Sequence, residues 1–213
     1  MLQKIHQYLQ EQLQCTADEI ASFDSSSVYV AMDIAMYAHR DQARFNGENH
    51  FGYVHRILQR YRDLVGIVED DYFCLDVDLL VDECNVPYEG MQELCLLQDV
   101  VAQTDVTMDD VQQVFDQLGL KSFFLVHIKP ALEMLSQARL DETFYVANLA
   151  QSQQASIVKF LSYADEFDVR KQMPDADAQR ARMQDCVAYC RFLDDKWGFL
   201  QNVKKYFQLK GNN

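Results

Sequence analysis

Glycine and proline are scarce in this sequence, with seven and three among 213 residues. Turn-rich β folds and long loops need more of both residues, so the composition argues against an all-β architecture and favours helices. The chain has no apolar run of about 18 residues, so no membrane-spanning helix is expected, and its N-terminus lacks the pattern of a signal peptide. An apolar content of 49% excludes general disorder and is enough for a substantial core.

Basic residues are also few, with 19 Lys and Arg against 33 Asp and Glu, a formal net charge of −14. Nucleic acids and anionic membranes attract clustered basic side chains, so we expect neither as a partner. The negative charge suits metal ions or a protein with a basic face, although acidity can also serve solubility alone. Composition alone does not decide whether the negative charge serves binding or solubility.

Several motifs with defined chemistry are missing. None of the six cysteines forms a CxxC pair, which argues against a zinc knuckle or a redox motif. The sequence has no HExxH, GxxxxGK[ST], GxGxxG or GxSxG, so a helical zinc protease, the standard phosphate-binding loops and a nucleophile elbow are excluded. Reduced thiols are the default interpretation, and the expected location is the cytoplasm.

Hydrophobic spacing indicates helices along most of the chain and predicts an all-α bundle of seven to nine helices. Thr107 and Asp110 form a capping-box pattern, while Gly119 and Pro130 fit a helix end and a kink or first helical turn. Residues 66–90 are strongly acidic and are interpreted as an insertion or irregular connector. The predicted helices cover residues 2–13, 27 to about 44, 52–65, 91–101, 107–118, 121–140, 141–168 and a long segment after 175.

The last of these segments carries an apolar stripe from Met183 to Phe207, which we predict to be core. Gly198 interrupts it at a cost of about 1 kcal/mol relative to alanine. Cys186 and Cys190 lie four residues apart on this helix and are interpreted as small apolar filling.

Two polar stretches are unusual together. The first is AHRDQAR at residues 38–44, followed by Gly47-Glu48 and by His55, and the second is LLQDVVAQTDVT at residues 96–107. The chain resembles the HD-type alarmone hydrolases, the Rel/Spo hydrolase domain and its small stand-alone relatives, whose pattern is AHxxQxR…GE…H and then LLHDxVEDTxxT. Residues 157–164, IVKFLSYA, look like that family's LVKLADKL helix.

The resemblance covers about residues 28–200 and implies a single HD-like helical domain over residues 1–213. It also implies a Mn²⁺ ion held by imidazoles and carboxylates, which activates water against a phosphate. By motif match, His55 and Asp99 correspond to metal ligands. The distant aspartate of the family falls on Ser162 without a gap, which we prefer because a gap turns the buried face of a helix, or on Asp165 with one.

Departures from the family pattern decide the functional hypothesis. Gln98 stands where the family has a histidine ligand, and Ala102 and Gln103 replace its acidic catalytic dyad. These changes remove metal ligands and the acid–base step, so we expect a pseudoenzyme without a cofactor. The alternative is an active Mn-dependent pyrophosphohydrolase of guanosine or adenosine tetraphosphates with an altered metal shell.

A degenerate member of the family would act by binding. By the same resemblance, His39 and Arg44 are candidate contacts for a guanine or adenine nucleotide. The negative charge instead favours a basic protein partner, including a synthetase-like toxin that this chain would neutralise as an antitoxin. A purely structural helical module is a third hypothesis. His50 and His127 have no partner that the sequence identifies and are interpreted as structural or surface residues.

Overall fold

The computed structural model describes residues 1–23, 26–67, 77–137, 141–173 and 177–210. Within these ranges the regular secondary structure consists of α-helices and two short π-helical segments, beside one antiparallel bridge between Ala43 and Asn49. The all-α prediction is therefore confirmed. In the part of the chain that the structure describes, the helices are too short or too polar to cross a membrane.

The chain divides into two compact units, each built from two separate stretches of sequence. The first unit consists of Met1–Leu58 and Gly90–Arg139, and the second of Gln59–Glu89 and Leu140–Asn213. The chain passes from the first to the second within one helix. The HD-type arrangement and the single domain that the resemblance implies stay predictions.

The first unit holds the two polar motifs. Its centre is helix α5, all seven residues of which are buried, and helix α3 packs against it. The helices of this unit are α1 (Leu2–Leu13), α2 (Ala17–Phe23), α3 (Ser27–Ala38), the start of α4 (His50–Val65), α5 (Met91–Leu97), α6 (Val100–Gln103), α7 (Met108–Gln117), α8 (Lys121–Phe123), the π segment Phe124–Ile128 and α9 (Lys129–Leu135).

The second unit is dominated by two long helices that pack along one another. The Tyr163 and Tyr189 rings lie 5.2 Å apart, and Arg182 donates hydrogen bonds to both Glu166 and Glu142. Its helical segments are the end of α4, the π segment Leu79–Glu83, α10 (Glu142–Leu149), α11 (Gln153–Lys171), α12 (Asp177–Trp197) and α13 (Phe199–Lys210).

Local signals in the sequence predicted several helix ends correctly. The Thr107 hydroxyl accepts a hydrogen bond from the Asp110 amide at 3.1 Å, and the Asp110 carboxylate accepts one from the Thr107 amide at 3.0 Å. The capping box is therefore confirmed. Gly119 follows α7 with a φ of 76°, and Pro130 lies in the first turn of α9. These signals depend only on neighbouring residues, which explains their success.

Replacing Thr107 by alanine removes the hydroxyl side of this capping box and leaves the bond from the residue 107 amide to the Asp110 carboxylate. We expect the free energy of unfolding to fall by about 1 kcal/mol, because the Asp110 amide at the start of α7 loses its partner. Urea unfolding followed by circular dichroism measures the change. Thr143→Ala, at an exposed position in the first turn of α10, is the control and should change stability by less than about 0.5 kcal/mol. Equal losses in the two variants would contradict a specific role for the capping box.

Other boundaries differ from the predictions. The segment predicted as one helix over 91–101 is broken at Gln98 and Asp99. The prediction missed this break because the apolar spacing continues on both sides of it. The segment predicted over 141–168 is likewise split, since Ser152 caps the start of α11. Of the predicted acidic connector, Glu69, Asp70, Asp71 and Asp76 lie outside the described residues.

The apolar stripe predicted as core is only partly buried. Leu193 is buried, but Leu200 and Phe207 are 42% and 43% exposed. The physical reason is Gly198, whose φ of 62° places it in the left-handed region and ends α12. Residues beyond it no longer follow the helical phase of the stripe, so that part of the prediction is wrong.

Candidate functional site

A buried histidine–aspartate pair lies where the two polar motifs of the first unit meet. His50 begins α4, and Asp99 occupies the break between α5 and α6. The His50 Nε2 atom lies 3.1 Å from Asp99 Oδ2, and the two side chains are only 8% and 7% exposed. Because a carboxylate oxygen accepts, His50 is the donor in this hydrogen bond.

A short loop brings His50 to this position. Between α3 and α4 the chain folds back on itself: the Arg44 amide donates to the Glu48 carbonyl at 2.8 Å, and the His50 amide donates to the Gln42 carbonyl at 3.0 Å. Gly47, with a φ of 81°, lies in the turn of this loop. Residues of the first polar motif therefore form the backbone hydrogen bonds that fold this loop, and they also contribute its side chains.

His39 lies against the pair and is completely buried. Its ring stacks on the His50 ring, with centroids 4.3 Å apart and an interplanar angle of 24°. The Gln42 amide nitrogen donates to the Gln103 carbonyl at 2.6 Å, which leaves its amide oxygen to accept from His39 Nδ1 at 2.8 Å. Nδ1 consequently carries the proton, and Nε2 is a buried acceptor without a protein partner among the described residues.

Burial lowers the pKa of His39 to about 4, with the neighbouring His50 contributing in the same direction. The imidazole is therefore neutral near pH 7. In the unfolded chain its pKa is about 6.5, so the unfolded state binds more protons between these two values. The stabilising effect of the neutral, buried ring is complete above pH 6.5 and is lost as the pH falls towards 4.

This shift predicts an acid-sensitive fold. We expect His39→Gln to reduce the loss of unfolding free energy between pH 7 and 4.5 by about 2 kcal/mol relative to wild type. Urea titrations at the two pH values provide the measurement. The difference between variant and wild type isolates His39, because the other titrating groups are common to both proteins. Parallel pH profiles would show that His39 does not carry this sensitivity.

Gln98, which the resemblance places at the family's second histidine, directly follows α5. Its amide nitrogen donates to the Cys95 carbonyl at 3.3 Å, and its Oε1 atom is buried without a protein partner among the described residues. Ala102 and Gln103 follow on α6, where Ala102 is half-buried and Gln103 is exposed. Neither can take up or release a proton at neutral pH, so this helix turn provides no acid–base pair.

The other predicted residues of the first unit are held by protein contacts. The His55 ring lies 5.9 Å from that of Phe51 on the same helix. The Arg44 side chain is only 9% exposed, and its guanidinium lies 3.7 Å from the centre of the Tyr53 ring and within 4.0 Å of Glu48. His39 and Arg44, the candidate nucleotide contacts, are therefore both covered by the protein.

Ser162 and Asp165 belong to α11 in the second unit, and both are buried. Arg60 donates from Nε to Asp165 at 3.1 Å and from Nη2 to Asp168 at 2.8 Å. Because residues three apart share one face of a helix, both candidates for the distant ligand lie on a buried face. Burial alone does not select between them, but Asp165 already has a guanidinium beside it.

The residues that the resemblance assigns to a Mn²⁺ ion do not fit that ion. The described residues contain no group of three His, Cys, Asp or Glu side chains placed to hold a metal. Asp99 accepts from His50, Asp165 accepts from Arg60, and Gln98 is a neutral amide. Manganese prefers carboxylate oxygen and imidazole nitrogen donors, and the amide of Gln98 is neither. The residue at position 98 therefore lacks the imidazole that the resemblance requires there.

Sequence reasoning missed His50 as the partner of Asp99. Their separation of 49 positions gives no local signal, because their approach depends on the loop after α3 and on the break between α5 and α6. No protein-family model matches this chain, and no curated protein matches it. The HD-type resemblance accordingly rests on the quoted motifs.

Proposed function

We propose that this chain is a catalytically degenerate relative of the HD-type alarmone hydrolases that acts by binding a protein partner. The observation that carries the proposal is the buried pair of His50 and Asp99. Asp99 is the acidic ligand retained in the second motif, and its carboxylate is engaged by a protein side chain. In this interpretation the residue has a structural role in a scaffold that no longer performs the chemistry.

The chemistry of alarmone hydrolysis supports this proposal. It requires a cation that activates water and an acidic pair that orients the water and moves its proton. Gln98 is a poor replacement for an imidazole ligand, and Ala102 and Gln103 have no carboxyl group. Because these groups act together, loss of the metal ligands or of the acid–base pair alone would remove most of the activity, and this chain departs from the pattern at both.

Burial and charge favour a protein over a nucleotide as the ligand. His39 is completely buried, and Arg44 is stacked on Tyr53 beside Glu48. A tetraphosphate nucleotide also carries several negative charges, which a chain with a net charge of −14 repels. A protein with a basic face experiences the opposite force. A synthetase-like toxin is one partner of this kind, and neutralising it would make the chain an antitoxin.

The absence of hydrolysis is directly testable. We expect the purified protein with added Mn²⁺ to release no pyrophosphate from guanosine or adenosine tetraphosphate above the rate of a heat-denatured sample. Elemental analysis should find well under one manganese per chain. Asp99→Ala and the exposed-site control Asp105→Ala should be equally inactive. Stoichiometric manganese, with turnover abolished by Asp99→Ala but kept by Asp105→Ala, would contradict the proposal and establish the hydrolase alternative.

Binding requires a separate experiment. We expect affinity purification of the tagged full chain from its native cells, with quantification against a tag-only control, to enrich a basic protein. Calorimetry with the two tetraphosphates should show no binding up to about millimolar concentration. Recovery of background proteins only would count against a protein partner. Micromolar nucleotide binding lost in Arg44→Ala would instead support the nucleotide as the ligand.

A further inference from the structure

Two hydrogen-bond acceptors inside the first unit have no donor among the residues that the structure describes. They are the Nε2 atom of His39 and the Oε1 atom of Gln98, and both atoms are buried. The two residues are 0% and 1% exposed. Buried polar atoms in folded proteins nearly always have a hydrogen-bond partner, because leaving one unpaired carries its full desolvation cost. The two acceptors therefore point to a donor that comes from outside the described protein atoms.

Neighbouring contacts fix both atoms as acceptors. His39 donates its Nδ1 proton to the Gln42 side-chain oxygen at 2.8 Å, so Nε2 keeps its lone pair while the ring is neutral. Gln98 uses its amide nitrogen to donate to the Cys95 carbonyl at 3.3 Å, which leaves Oε1 to accept. Because two acceptors cannot bond to each other, each of them needs an N–H or O–H group from elsewhere.

Both acceptors belong to the surroundings of the His50–Asp99 pair. Gln98 directly precedes Asp99 in the chain, and the His39 ring stacks on the His50 ring with a centroid distance of 4.3 Å. Helix α3, which ends just before His39, packs against both α5 and α6. Each of the two polar motifs therefore contributes one unpaired acceptor beside the same buried pair.

A water molecule is the ligand that matches these two atoms. Water donates two hydrogen bonds, and internal waters in proteins bind to buried polar groups that otherwise have no partner. The surrounding residues His39, His50, Gln98 and Asp99 are almost completely buried, which disfavours a larger donor. A metal ion needs further ligands, whereas the described part of the chain contains no group of three His, Cys, Asp or Glu side chains placed to hold one.

We infer that the first unit holds one internal water molecule, which donates one hydrogen bond to His39 Nε2 and the other to Gln98 Oε1. The water connects the end of α3 with the break between α5 and α6, alongside the direct hydrogen bond from His50 to Asp99. Gln98 thereby has a role of its own, as the residue that binds this water. The inference goes beyond the proposed function and does not depend on it, because the water is expected with or without a bound partner.

Two measurements on the full wild-type chain test the inference. A high-resolution crystal structure should show one water peak within about 3.2 Å of both His39 Nε2 and Gln98 Oε1. In solution, nuclear Overhauser spectroscopy should show cross-peaks between water and the carbon-bound ring protons of His39, with the sign that marks a long-lived bound water. Neither measurement depends on whether a variant folds.

A matched pair of glutamine variants tests the role of Gln98. Gln98→Met removes the acceptor but keeps a side chain of similar length, whereas Gln103→Met makes the same change at an exposed position on α6. We expect Gln98→Met to lose both the water peak and the His39 cross-peaks, because a single remaining protein bond does not hold an internal water. Gln103→Met should keep both signals. Circular dichroism confirms that each variant is folded.

Several results would overturn the inference. In the wild-type crystal structure these are no water at either acceptor, two separate waters with one on each, a protein donor at either atom, or a metal ion identified by its anomalous scattering. Cross-peaks that persist in a folded Gln98→Met protein, or that disappear in Gln103→Met, would also contradict it. Failure of the proposed function is a separate result, because alarmone turnover and partner binding are measured independently of this water.

Discussion

The Gly90→Ala variant is expected to lose about 4 kcal/mol or more of its unfolding free energy. Gly90 precedes the buried helix α5 and has a φ of 76°. A Cβ atom at this position would lie 2.5 Å from the carbonyl oxygen of His127 and 3.1 Å from its Cβ. Because the main obstacle is backbone, a side-chain rotation cannot relieve the clash. Chemical unfolding monitored by circular dichroism measures the loss.

Gly119→Ala is the matched control for this effect. Gly119 has the same φ of 76°, but an added Cβ there meets no atom within 4 Å. Its substitution therefore carries only the cost of a left-handed backbone, about 1–2 kcal/mol. The difference between the two variants measures the close approach of Gly90 to the His127 carbonyl. Losses of similar size in both would show that backbone conformation alone determines the requirement for glycine.

The second large effect is expected at Asp99. Replacing it by alanine leaves His50 buried without the carboxylate that accepts its hydrogen bond. Removing one member of a buried pair costs about 3–5 kcal/mol, and we expect a loss of that size in urea unfolding. Asp99→Asn retains an acceptor oxygen of similar shape and should lose roughly half as much. The exposed-site control Asp105→Ala should change stability by less than about 0.5 kcal/mol.

The same variants separate a structural role of Asp99 from a metal-binding role. If Asp99 serves the fold, added Mn²⁺ leaves the melting temperature of the wild-type protein unchanged. If it binds a metal, Mn²⁺ raises that temperature by mass action in wild type and fails to do so in Asp99→Ala. An unchanged unfolding free energy in Asp99→Ala would also contradict the structural role. The melting temperature with Mn²⁺ tests metal binding, and the unfolding free energy of Asp99→Ala tests the structural role. One of these predictions can therefore be contradicted while the other holds.

The sequence predicted where most helices lie, but it did not predict where a helix is interrupted. The spacing of apolar residues located α1, α4 and α7, since each has an amphipathic face that the sequence shows directly. The same spacing runs through Gln98 and Asp99, although the helix is broken there. This break places Asp99 beside His50. It also runs through Gly198, beyond which Leu200 is exposed. A hydrophobic period identifies a face but does not show where the helix axis changes.

The sequence shows which residue types occur at the candidate site, but it does not show which of these residues contact one another. The sequence shows that Gln98, Ala102 and Gln103 differ from the family pattern, and this is enough to question hydrolysis. The resemblance assigned His55 to a metal, and no partner of His50 was identified. The pair of His50 and Asp99 is evident only in the tertiary structure, in which the loop after α3 and the end of α5 lie in the same unit.

The sequence by itself determined the all-α class, the capping box at Thr107, the negative charge and the absence of acidic side chains at positions 102 and 103. Each of these depends on composition or on residues within one helical turn. Only the tertiary structure decided that Asp99 is bound by His50, that Arg60 holds Asp165, and that α11 and α12 border an apolar groove. Those contacts join residues distant in sequence, and they depend on how helices break and pack rather than on local periodicity.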